Sequence, residues 1–114
     1  MKLAAFWLAV AVVAPVTARA LPLDATNLRD WTLARCVAKA AGDQPIGADA
    51  RRSAAALLER GTARPAIYER IDALIARTLT TPVSGTAGGT YAVLQCIDLT
   101  RSPALARIVE RRRR

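Results

Sequence analysis

Arg64-Pro65-Ala66-Ile67-Tyr68-Glu69-Arg70-Ile71-Asp72-Ala73-Leu74-Ile75-Ala76-Arg77-Thr78-Leu79 carries the plainest structural signal in the chain. Ile67, Ile71, Leu74, Ile75 and Leu79 recur at helical spacing and make one apolar stripe. Glu69 and Asp72 fall off it. Pro65 suits a first helical turn, where a missing N–H leaves nothing unpaired. The stripe reads as the buried face of a helix over residues 64–79.

The same period extends in both directions. Over residues 48–60, Ala50, Ala54, Leu57 and Leu58 share a face, and Gly61 offers a C-terminal stop that tolerates a left-handed backbone. Over residues 24–41, Leu33, Cys36, Val37 and Ala40 make one stripe, with Trp31, Ala34, Ala38 and Ala41 beside it. Asp24 or Thr26 is the candidate N-cap there. Gly42, Asp43 and Pro45 end that helix. Towards the C-terminus, residues 91–100 turn Val93, Cys96 and Ile97 to one side. Ser102-Pro103 then opens a last helix with a capping hydroxyl and a first-turn proline, burying Leu105, Ile108 and Val109. No strand-like alternation persists. The expectation is an all-α domain, a compact bundle of four to five short helices.

One stretch breaks the period. Thr80-Thr81-Pro82-Val83-Ser84-Gly85-Thr86-Ala87-Gly88-Gly89-Thr90 holds three glycines, one proline and five Ser/Thr residues. It reads as a flexible loop, long for so small a domain and therefore either functional or a plain connector. It is no phosphate loop, because no Gly-Lys-Ser/Thr follows and no strand precedes.

The beginning of the chain reads as an address. Met1-Lys2 is positive, Leu3–Val13 is apolar, Pro15 interrupts, and Ala18-Arg19-Ala20 is a small-x-small cleavage site. Residues 1–20 thus have the layout of a secretory signal peptide, leaving residues 21–114 as the exported domain. The apolar run is too short for a bilayer, which needs about 20 residues. In an oxidising compartment, the chain's two cysteines, Cys36 and Cys96, suggest an intrachain disulfide. A reactive thiol is the alternative, but no C-x-x-C motif supports it.

Composition narrows the function classes. The 114 residues contain no histidine, which removes imidazole-based catalysis and histidine-held metals. Two cysteines cannot build a four-cysteine zinc or iron–sulfur site. No catalytic residues, metal site or cofactor are expected. Seventeen basic against nine acidic residues give a formal charge of +8, concentrated in the terminal Arg111–Arg114 run. That run reads as a solvated basic tail. Nucleic-acid binding would call for a basic face with stacking aromatics. The domain has only Trp31, Tyr68 and Tyr91. Membrane insertion would call for a bulky apolar face opposite a basic one, and the modest stripes here need one another. Asp24, Asp30, Glu69 and Asp72 fall on polar helix faces, expected to be exposed. What remains is an exported helical protein that acts by binding.

Four ordered segments add a resemblance. They are Leu28-Arg29-Asp30-Trp31-Thr32-Leu33-Ala34-Arg35-Cys36-Val37-Ala38-Lys39-Ala40, Ala48-Asp49-Ala50-Arg51-Arg52-Ser53-Ala54-Ala55-Ala56-Leu57-Leu58-Glu59-Arg60-Gly61, Tyr68-Glu69-Arg70-Ile71-Asp72-Ala73-Leu74 and Leu94-Gln95-Cys96-Ile97-Asp98-Leu99. Together they resemble the immunity proteins of the fourth class that neutralise type VI secretion amidase effectors. The resemblance implies a periplasmic, all-helical homodimer with its two cysteine positions bridged. It implies a partner, a cysteine-type peptidoglycan amidase, and a loop that enters that enzyme's substrate groove. Here the loop is Val83, Ser84, Gly85, Thr86, Ala87, Gly88, Gly89 and Thr90. The alternative is a small exported binding protein with a different partner, such as an anionic surface met by the arginine tail.

Overall fold

The computed structural model describes residues 9–14, 23–86 and 88–112. The signal-peptide reading of residues 1–20 lies outside the described residues except for 9–14, and Ala87, Arg113 and Arg114 lie outside them as well. Among the described residues five helices follow in chain order: α1 Leu23–Ala41, α2 Pro45–Arg60, α3 Pro65–Leu79, α4 Ala92–Thr100 and α5 Pro103–Arg111. Helix α1 packs chiefly against α2 and α4, and α3 lies against α1, α4 and α5. The all-α bundle expected from periodicity is the fold observed.

Helix ends follow local chemistry. Helix α2 begins at Pro45, three residues before the position its apolar stripe suggests. Pro45 acts twice: it cannot continue α1, and it is already shaped for the first turn of the next helix. Gly42, at φ +55°, makes the break between them. Ser102 caps α5 as its sequence indicates, its hydroxyl oxygen accepting from the Leu105 amide at 3.2 Å. Gly61 departs from expectation. It is extended (φ −79°, ψ 152°) and carries the chain straight towards α3.

The stripe of α3 is the centre of the core. Ile67, Ile71 and Ile75 are buried, as are Leu28 of α1 and Leu105 and Val109 of α5. Each such side chain contributes about 1.5–3 kcal/mol by leaving water. Trp31 is buried as well and meets the half-buried Tyr68 edge to face, with ring centroids 5.0 Å apart. The fully buried Thr32 spends its hydroxyl on the Leu28 carbonyl at 2.7 Å. In α4 the buried residues are Cys96 and Leu99, whereas Val93 is 59% exposed. The inward expectation for Val93 is corrected: the line set by Cys96 and Leu99 leaves it on the flank.

Cys36 and Cys96 are joined, with Cα atoms 5.6 Å apart and both residues fully buried. The bond fastens α4 to the C-terminal half of α1.

Two polar expectations also change. Asp24 does not cap α1. It sits in the first turn, where its carboxylate receives Arg112 Nε and, at 3.2 Å, Arg112 Nη2. Arg112 also donates to the Val109 carbonyl. Its side chain is only 7% exposed, so this member of the arginine run is a clasp and not a solvated tail residue. Asp72 is not a free surface carboxylate either. Arg35 grips both its oxygens at 2.9 and 3.4 Å, and Lys39 lies 3.7 Å away.

Two predictions follow from these contacts. Bridging across this length of chain restricts the unfolded state by up to about 4 kcal/mol. Reductant, or Cys36→Ser with Cys96→Ser, should therefore lower Tm markedly, and thiol titration of the native oxidised protein should find none. The Arg112 guanidinium beside Asp24 holds that carboxyl below its ordinary value of 3.8. Asp24 thus adds stability in full above that value and loses it as pH falls through the lowered folded one. Denaturation curves of wild type and Asp24→Asn should differ at about pH 7 and converge in strong acid.

Candidate functional site

Between α3 and α4 the chain makes a small, closed projection. Its stem is the Tyr91 amide donating to the Val83 carbonyl at 2.9 Å, followed by an antiparallel bridge between Ser84 and Thr90. Inside the stem the Gly88 amide donates to the Gly85 carbonyl at 3.2 Å. Gly88 and Gly89 then turn the chain back at φ +80° and +70°, a region in which a Cβ is strained. The glycine-rich stretch that reads as flexible is thus folded into a hairpin-like shape.

The stem is also packed. A Cβ on Gly85 would fall 2.1 Å from the Tyr91 ring, so the absence of a side chain there is what lets the ring lie against the backbone. The root is tied to both flanking helices. Thr80 donates its hydroxyl to the Arg77 carbonyl at 2.6 Å. Gln95, in the first turn of α4, donates its carboxamide to the carbonyls of Thr78 at 2.7 Å and Thr81 at 2.9 Å.

Above this root the residues are open to solvent. Ser84, Thr86, Gly88, Gly89 and Thr90 are exposed, Val83 is 46% exposed, and Gly85 is half-buried. All the expected loop residues except Ala87, which is not described, are therefore brought together in one projection. None carries a charge. The surface offers peptide groups, two kinds of hydroxyl and small apolar groups. Such a surface can follow a narrow cleft closely and hydrogen-bond within it, but it has no nucleophile or acid–base pair.

The sequence reading missed Tyr91 and Gln95 as members of this site. Tyr91 is the aromatic residue next to the loop, and Gln95 stands one helical turn beyond it. That spacing is the only sequence signal, because the carbonyls that Gln95 serves come from the far side of the loop.

The family model described as "Tai4: Type VI secretion system (T6SS), amidase immunity protein" matches residues 26–109. The chain belongs to this family. As a Tai4-family member it is an immunity protein and not an enzyme. Solved structures agree. The effector–immunity system Tae4/Tai4 of Salmonella typhimurium, as its selenomethionine variant, contains a chain 27% identical, with TM-score 0.72, over 77% of this chain and 87% of that one. The complex of Salmonella typhimurium Tae4 with Enterobacter cloacae Tai4 contains one 29% identical, with TM-score 0.69, over 80% and 99%. The Enterobacter cloacae Tae4–Tai4 complex gives 29% and 0.69, over 80% and 98%. No curated protein matches. The Tai4 match takes in both cysteines and the whole projection, and it ends before Arg112, so the clasp lies outside the matched span.

Gly85 supplies a direct check on the packed stem. Gly85→Ala should force the Tyr91 ring away and speed amide exchange across residues 83–90. Global stability should fall by only about 1 kcal/mol, since the change is confined to the surface.

Proposed function

We propose that this chain is a periplasmic immunity protein that binds a type VI secretion peptidoglycan amidase and blocks it by placing Val83–Thr90 in the substrate cleft. The observation that carries the reading is the pinned projection itself, in a member of an amidase-immunity family. Inhibition in this way needs no chemistry from the inhibitor. A segment that occupies the cleft excludes the peptide stem of peptidoglycan by volume alone.

The geometry favours tight occlusion for two reasons. Glycines at the tip let the partner's atoms approach the backbone closely. The stem hydrogen bonds and the Tyr91 packing hold the loop in shape before binding, which reduces the ordering entropy that association must overcome. Residues 1–20 would deliver the chain to the periplasm, where an amidase arriving from another cell meets its substrate. The sequence resemblance extends the proposal to an amidase with a catalytic cysteine and to a pair of identical immunity chains.

The test is removal of Ser84–Gly89. Val83 and Tyr91, which both remain, are already hydrogen-bonded across the stem, so joining Val83 to Thr90 leaves α3 and α4 in reach of one another. Inhibition of peptidoglycan hydrolysis should weaken by about 30-fold or more, the loss expected of an interface hot spot of about 2 kcal/mol, while Tm stays close to wild type. Undiminished inhibition by a folded deletion variant would remove the loop from the mechanism.

A further inference from the structure

The last carbonyls of a helix have no partners within it. At the end of α3 two carbonyls, those of Thr78 and Thr81, receive hydrogen bonds from one residue that lies across the loop, Gln95. Both partners are acceptors, which fixes the end of the carboxamide that faces them: it is the NH2, with a hydrogen for each.

Gln95 also sits between the rigid and the projecting parts of the molecule. On one side its neighbour Cys96 is bonded to Cys36 of α1. On the other its backbone amide donates to the Tyr91 carbonyl at 2.9 Å. Tyr91 in turn holds Val83 through its own amide and covers Gly85 with its ring. Entry and exit of the projection are thereby fixed to each other and to the disulfide. No other side chain among the described residues bonds both to the end of α3 and to the segment following it.

We propose that Gln95 is a positioning residue for inhibition: it sets the direction in which Val83–Thr90 leaves the bundle, by bracketing Thr78 and Thr81 from α4. This rests on the loop reading above, because it assigns Gln95 no contact with the amidase. Glutamate has nearly the same shape but would aim a carboxylate at two carbonyl oxygens, so the bracket needs the amide.

Three variants test the bracket: Gln95→Glu, Gln95→Ala and Gln95→Met, the last keeping the length of the stem if the others fail to fold. Each is compared with wild type and with the Ser84–Gly89 deletion in the full oxidised protein. Two readouts are taken: amide exchange of residues 83–90 in the free protein, and inhibition of the cognate amidase acting on peptidoglycan. The expected result is faster exchange confined to the projection, unchanged protection of α1 and α3, and inhibition weakened roughly ten- to a hundredfold, as for the loss of two hydrogen bonds that order a binding loop. A role in global stability alone would raise exchange throughout and leave the loop no worse than the core, and that outcome overturns the proposal. Faster loop exchange with full inhibition also overturns it. If the deletion abolishes inhibition while the Gln95 variants keep both protection and inhibition, the bracket falls and the loop reading stands. If the deletion itself inhibits fully, the loop reading falls, and with it the role of Gln95 in inhibition, whatever the exchange shows.

Discussion

The Cys36–Cys96 bond is the constraint on which the arrangement depends. Helix α4 has only nine residues and buries only Cys96 and Leu99. A helix of that length is marginal in isolation, because nucleation is costly and few hydrogen bonds follow. Its apolar contact area is small as well. A covalent tie to the C-terminal half of α1 replaces the burial that α4 lacks. Since α4 is also the exit of the projection, the same bond sets the base from which the loop rises.

Polar contacts finish what the core leaves open, and they differ in weight. Asp72 with Arg35 and Lys39 is about one-third exposed, so solvent screening reduces it to a contribution of about 0–1 kcal/mol. Its value is geometric, holding α1 against α3 beside the Trp31–Tyr68 contact. Arg112 is far less exposed, and its guanidinium is shared between Asp24 and the end of α5. Arg29 closes another end, donating to the Thr100 carbonyl at 2.7 Å. The ends of α3 and α4 are thus finished by side chains from other helices, and the end of α5 by its own C-cap residue, Arg112.

Much of this was legible in sequence, for reasons that can be named. The α3 stripe, the Ser102-Pro103 start and the glycine-rich interruption are local signals, and local signals survive into the structure. The cysteine pair was legible because the signal-like sequence of residues 1–20 and an even cysteine count restrict the choices. Val93 was misplaced because a nine-residue helix offers too few apolar positions to define its buried face, and the disulfide defines it instead. The start of α2 was late because its first turn, Pro45-Ile46-Gly47, contributes nothing to the alanine stripe. Arg112 and Gln95 were invisible in their roles, because both act on backbone or carboxylate groups that only the tertiary fold brings near. The loop's range could be read, but its shape could not: composition gives the freedom of glycine, while Tyr91, Gln95 and the Ser84–Thr90 pair remove that freedom.

The clasp between Asp24 and Arg112 joins residues 88 apart in sequence. A ribosome makes the chain in one direction, so the first helix is complete long before the residues that secure it exist. Its cysteine waits for Cys96 and its first turn waits for Arg112. A chain that stops short of Cys96 lacks both the covalent tie and the terminal ion pair. The finished bundle therefore has the connectivity of a ring, in which the end of α5 closes on the first turn of α1. Its full stability therefore needs the chain through Arg112, and its covalent tie needs an oxidising compartment as well.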